Sequence, residues 1–203
     1  MTRFFSVLVA AVALGANTGC AGLLGRALLP TVTSQEEPLE RIQRFQCPHF
    51  LATLRWDGPG QLIPTAYFFW GRIARAVNPY GTDSWLVHVR FETKSTDAMI
   101  EIQPAKARII TGKSRLHPAL TLTDFRRKWP KWAINSAEEA LDRQTAYEHI
   151  LNTLLIERHL RPVAVDEGWL AFPRVSALQS ATVEFPYRIN GQTRVASATW
   201  EFQ

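Results

Sequence analysis

Apolar and polar side chains alternate strictly through several stretches of this chain. In residues 85–91, Trp85, Val87, Val89 and Phe91 fall on one face, with Leu86, His88 and Arg90 on the other. Period two over such a stretch predicts a half-buried strand, because successive side chains of a strand point to opposite faces of its sheet. Lys94-Ser95-Thr96-Asp97 turns the chain, residues 99–103 (MIEIQ) begin another strand, and residues 107–111 (ARIIT) form a third that Gly112 ends. Residues 168–173 (GWLAFP) read as a short strand. In residues 182–189, Val183, Phe185, Tyr187 and Ile189 alternate inward against outward Glu184 and Arg188. Asn190-Gly191 follows, a pair that favours the two-residue type I′ hairpin because both positions need positive φ. Residues 193–202 are therefore expected to return as the partner strand.

The first half is less regular. Leu39, Ile42, Phe45 and Phe50 have helical spacing, but Pro48 stops a helix there, so residues 39–56 stay ambiguous. Asp57-Gly58-Pro59-Gly60 predicts a turn, and residues 65–77 (TAYFFWGRIARAV) predict a strand closed by a turn at Asn78-Pro79-Tyr80-Gly81. Between the β blocks lies a helical stretch. Ser136-Ala137-Glu138-Glu139 fits a capping box, in which Ser136 accepts from the backbone of Glu139 and Glu139 reaches back. Leu141, Ala146, Ile150, Leu151, Leu154 and Leu155 then form an apolar stripe to about Leu160, before Pro162. A shorter helix over residues 123–129 has Thr121 or Thr123 as its cap and Pro130 as its stop. Short strands separated by frequent turns predict a mainly β fold, a β-sandwich. The helical insertion, around residues 121–161, should lie across an open end or one sheet face.

The amino terminus has a different pattern. After Arg3, residues 4–16 (FFSVLVAAVALGA) are uncharged and apolar, and small residues lead to Asn17-Thr18-Gly19-Cys20. The run has the length of a signal-peptide core and falls short of the roughly 20 residues a spanning helix needs. A Cys directly after Gly19 resembles the lipobox of bacterial lipoproteins, with Asn17 standing where that family favours an apolar residue. The resemblance implies a signal peptide over residues 1–19 and a Cys20 thiol that carries a diacylglyceryl anchor. Ala21 follows, not the Asp that retains some lipoproteins at the inner membrane, and this implies an outer-membrane location facing the periplasm. A plain secretory signal cut near Ala16 or Gly19, or an uncleaved anchor, fits the same pattern.

Residues 20–38 read as a lipidated tether, apolar at Leu23, Leu24, Leu28 and Leu29, broken by Pro30, and polar in TVTSQEEP. Its leucines would lie on the bilayer surface or pack on the domain. Removing residues 1–19 from the 203 leaves 184, enough for one domain with its own core over residues 39–203. The hydrophobic share of 46% and charged share of 20% are those of a globular chain. The net charge of +5 drops to +4 without Arg3, compatible with anionic headgroups and far from a nucleic-acid-binding composition. With Cys20 lipidated, Cys47 has no partner for an internal disulfide, and burial among Phe45, Phe50 and Leu51 is expected.

A second resemblance covers residues 85–202. SWLVHVRFETKSTDAMIEIQPAKARIIT, followed later by EGWLAFPRV and VEFPYRI, is similar to the immunoglobulin-like domains of bacterial envelope lipoproteins. It implies an immunoglobulin-like β-sandwich and brings no catalytic residues with it. The helical insertion is an addition to that plan.

Chemistry-bearing motifs are few. Cys47-Pro48-His49 offers two metal ligands where three or four must converge, so no metal site is expected. His149 and His159 are not spaced as an i, i+4 clamp, and His88 on the polar side of its strand should be exposed. No nucleophile elbow, phosphate loop or cofactor fingerprint is present, so neither catalysis nor a cofactor is expected. The cluster Arg126-Arg127-Lys128-Trp129-Pro130-Lys131-Trp132 interleaves cations with tryptophans. Such a segment suits anionic headgroups, glycan rings or an envelope protein partner, and equally a solvated helix face with both Trp folded inward. A second aromatic-basic stretch, residues 68–75, is expected to fill the core as a strand. These features predict a membrane-tethered envelope lipoprotein that binds or scaffolds, with an envelope-polymer hydrolase or small-molecule carrier as alternatives.

Overall fold

The computed structural model describes residues 38–68, 72–94, 97–112, 114–128, 136–175 and 178–202. They form a mainly β fold. The first antiparallel sheet has the order β1 (Ile42–Gln46), β2 (Phe50–Pro59), β5 (Ser84–Thr93), β10 (Val165–Pro173). The second is built on β11 (Ser180–Ile189), paired along one edge with β12 (Gln192–Glu201). Along its other edge lie β6 (Ile100–Ile102) and β7 (Arg108–Thr111), extended by β9 (Arg158–His159) and β8 (Arg115–Pro118). β3 (Ile63–Phe68) and β4 (Arg72–Val77) make a separate hairpin.

The two main sheets share one core. Phe50, Leu54, Trp56, Trp85, Val87, Val89, Phe91 and Phe172 come from the first sheet, and Ile100, Ile109, Val183, Phe185, Tyr187 and Trp200 from the second. Rings meet between them: Phe50 lies edge-on to Tyr187 with centroids 5.1 Å apart, Phe91 meets Phe185 at 5.3 Å, and Trp56 meets Trp200 at 5.6 Å. These tilted and perpendicular contacts are the arrangements that aromatic quadrupoles favour. The strands expected near residues 85–91, 99–103, 107–111 and 168–173 are present, as is the carboxy-terminal hairpin. Asn190 and Gly191 have φ of 49° and 83°, as a type I′ turn requires.

β6 and β7 are one strand interrupted by a 3-10 turn at Pro104–Lys106. The pair Tyr187–Ile102 gives way to Glu184–Arg108, so residues 103–107 stand against residues 185–186 and the excess loops out. Pro186 explains the break. Its carbonyl accepts from the Gln103 N–H at 3.1 Å, so its missing N–H faces the same neighbour, where the looped-out turn leaves no ladder bond to make.

Several expectations are revised. The ambiguous residues 39–56 form the β1–β2 hairpin, with Pro48 in the connection and the Cys47 N–H donating to the Phe50 carbonyl at 3.0 Å. The turn expected at residues 57–60 is instead the end of β2. Its register slips between Trp56 and Gly58, and Gly58 has φ of 80°. The strand expected over residues 65–77 divides into β3 and β4. Cys47 is half-buried against the core and forms no disulfide among the described residues.

The helices are α1 (Leu122–Lys128) and α2 (Ala137–Thr153). They cover the outer face of the first sheet through Tyr80, Leu86, Phe125, Ile150, Leu154 and Ala171. The insertion is stitched to the free edge of β10 at both ends: the Leu120 N–H donates to Ala171 O at 2.7 Å and the Leu155 N–H to Trp169 O at 2.8 Å. This also covers a sheet edge that would otherwise be open to pairing. α2 stops well before Leu160, because Leu154 turns extended to bridge Trp169 and Arg158 and His159 pair with β6. Only Ala146 and Ile150 of its apolar stripe are buried within the helix, and Leu141 and Leu151 face outward. No helix among the described residues is long and apolar enough to cross a membrane.

Candidate functional site

The basic segment singled out from sequence is described only in part. Arg126, Arg127 and Lys128 form the last turn of α1, whereas Trp129, Lys131, Trp132 and the lipidation candidate Cys20 lie outside the described residues. Asp124 starts α1 by accepting from both the N–H and the hydroxyl of Thr121, at 2.8 and 2.7 Å. These bonds hold its carboxyl below the usual range. Three cations at the helix carboxy terminus also complement the helix dipole. Arg126 donates to the Tyr147 hydroxyl at 2.5 Å and stacks 5.5 Å from its ring, while Lys128 reaches Asp83 at 2.7 Å. Both side chains thus tie α1 to its surroundings, while Arg126 and Arg127 are the exposed residues of the turn.

A second constellation, which the sequence reading did not assemble, surrounds Trp169. Trp169 occupies an outward position of β10, and the antiparallel register sets it opposite His88 of β5. The bulge in β2 leaves Asp57 without a partner on β5, beside this pair. The indole Nε1 of Trp169 donates to Asp57 Oδ2 at 2.7 Å. Arg55 grips the same carboxylate with two donors, at 2.6 and 3.0 Å. Hydrogen bonds to a charged group contribute about 1.5–3 kcal/mol each, so this triad fixes the indole. His88 is half-buried here, not exposed as expected, with its ring centroid 5.3 Å from Trp169.

α2 supplies the opposite wall. His149 lies near-parallel to Trp169 at 6.1 Å and edge-on to Tyr80 at 6.1 Å. The Thr153 hydroxyl donates to the His149 carbonyl at 2.6 Å, so Tyr80 must be the donor in its 2.7 Å bond to Thr153. Burial pushes the Tyr80 phenol up and keeps it neutral. Desolvation lowers both imidazoles, with the Arg55 charge adding to the effect at His88, so both are neutral near pH 7. Asp57, Gln61, Leu62, Ile63, Tyr80, Leu86, His149 and Trp169 enclose a cleft of about 100 Å3. Its walls are mostly apolar, with an acceptor at Asp57 and donor or acceptor groups at Gln61 and His149. Among the described residues no three His, Cys, Asp or Glu side chains converge as a metal site.

No family model matches the chain, and no curated protein matches it. Among solved structures it is similar to the yjhA protein from Bacillus subtilis, with a TM-score of 0.36 and 9% identity over 70% of this chain and 76% of that one. A likeness of that size carries no argument about fold or function.

Proposed function

We propose that this chain is a membrane-tethered lipoprotein of the bacterial cell envelope. Its mainly β domain, read as an immunoglobulin-like sandwich, binds or scaffolds components of an envelope assembly. The observation that carries the reading is the apolar run at residues 4–16 leading into Asn17-Thr18-Gly19-Cys20. Acyl chains on Cys20 confine the domain to a membrane surface and raise its effective concentration for partners there. Ala21 favours the outer membrane facing the periplasm. The segment of Arg126, Arg127, Lys128, Trp129, Lys131 and Trp132 supplies the contact surface, with Arg126 and Arg127 its exposed charges within α1.

Binding is favoured over hydrolysis by the use of Asp57. Three donors from Arg55 and Trp169 hold this carboxylate, so its role in the cleft is to fix the indole. A second reading, small-molecule carriage, draws on the Trp169 cleft. At about 100 Å3 that cleft is small beside the roughly 300–1,000 Å3 of drug-sized sites, so it suits a head group and not a large ligand.

The test is the intact mass of the protein extracted from membranes, beside a Cys20→Ala variant. Loss of residues 1–19 with added acyl mass in the wild type, and neither change in the variant, is the expected outcome. An unmodified mass, or cleavage at another position, overturns the tether and with it the outer-membrane assignment.

A further inference from the structure

We propose that the Trp169 cleft is a binding site for the acetamido group of an N-acetylated amino sugar. The cleft volume of about 100 Å3 is below that of an apolar cavity of about 150 Å3 that takes benzene, so the inserted group is smaller than an aromatic ring. Leu62, Ile63, Leu86 and Trp169 present an apolar wall that suits a methyl group. Asp57 retains acceptor capacity for an amide N–H. The Gln61 side chain, with no hydrogen-bond partner among the described residues, offers N–H donors to a carbonyl.

Charge selects against ions. The Arg55 guanidinium neutralises Asp57, so the pair carries no net charge to draw in either an ammonium group or an anion. A compact neutral group with one apolar end, one donor and one acceptor is what remains. The sugar ring then rests at the mouth, where Gln61 and Leu62 are exposed. That such a sugar meets this protein in the envelope rests on the function proposed above; the chemistry of the cleft does not.

Saturation-transfer NMR on the full chain in detergent micelles tests this with N-acetylglucosamine as probe and with glucosamine, glucose and Nε-acetyl-lysine as comparisons. Transfer should be strongest at the acetyl methyl of N-acetylglucosamine and absent for glucosamine and glucose, with a Kd on the order of 1 mM as expected for so small a group. Gln61→Ala removes an exposed side chain and should weaken binding about 2- to 10-fold, the loss of one net hydrogen bond. Trp169→Phe, checked for an unchanged far-ultraviolet spectrum, should weaken it further. Equal transfer to glucosamine or glucose, no transfer at all, or binding untouched by both variants overturns the acetamido site. Equal transfer to Nε-acetyl-lysine overturns its assignment to a sugar. None of these outcomes depends on whether Cys20 is lipidated, so the two proposals fail separately.

Discussion

Gly168 marks the tightest approach between the helical insertion and the sheet beneath it. A Cβ at this position would lie 2.9 Å from the Thr153 carbonyl oxygen and 3.2 Å from both the N and Cα of Leu155. These are backbone atoms, held in place by the Leu155 N–H bond to Trp169, so they cannot swing aside as a flexible side chain would. Gly168→Ala is expected to lower stability by about 1–3 kcal/mol through overpacking, measured by urea denaturation at unchanged slope. Gly112, with nothing within 4 Å of an added Cβ, serves as the comparison and should tolerate Ala far better. Equal effects at both positions would show that the insertion yields freely. The chain also shows at this scale why the Trp169 cleft was illegible from sequence. Asp57, His88, His149 and Trp169 are unremarkable singly, and only the β5–β10 register and a one-residue slip in β2 bring them together. The outward position of Trp169 in GWLAFP was the one available hint, since a large aromatic on a solvent face asks for a cover.

Elements were legible where a local rule and the global fold agreed. Asn190-Gly191 dictates its own turn, and the strands on either side alternate in phase with it. The start of α2 is similar: the Ser136 hydroxyl accepts from the Glu139 N–H at 3.2 Å, as the capping pattern requires. Because α2 buries only Ala146 and Ile150 of its own residues, its end depends on that cap more than on packing. Ser136→Ala should cost about 1 kcal/mol and speed amide exchange at Glu139, leaving exchange at Ile150 near the wild-type rate. Unchanged protection at Glu139 would mean the hydroxyl bond contributes nothing. Elements stayed ambiguous or were overdrawn where tertiary pairing overrode a local pattern. Leu39, Ile42 and Phe45 keep helical spacing yet lie on or beside an edge strand, since β2 offers residues 42–46 a complete ladder. The far end of α2 was overdrawn for the same reason: Leu154 and Leu155 satisfy their apolar character against β10, not along a helix.

At the scale of the molecule, mainly β architecture followed from alternation alone, but the two-sheet division could not, because pairing partners lie far apart in sequence. β5 joins β2 and β10, and β11 joins β6 and β7 to β12, so the first sheet is incomplete until β10 arrives and the second until the last hairpin does. The shared core makes the sheets interdependent. Phe50 is fully buried and touches Phe91 of its own sheet at 5.8 Å and Tyr187 of the other at 5.1 Å. Truncating it removes packing from both faces at once. Phe50→Ala is expected to cost about 3–5 kcal/mol, the range for deleting a buried ring. Hydrogen exchange should then accelerate by a similar factor in β5 and β11, because both sets of amides exchange through one cooperative unfolding. Acceleration confined to β5, with β11 protected as before, would show that the β11–β12 sheet stands without its partner. Cys47 is free and no disulfide forms among the described residues, so within them aromatic packing between layers, not a covalent staple, holds the two sheets together.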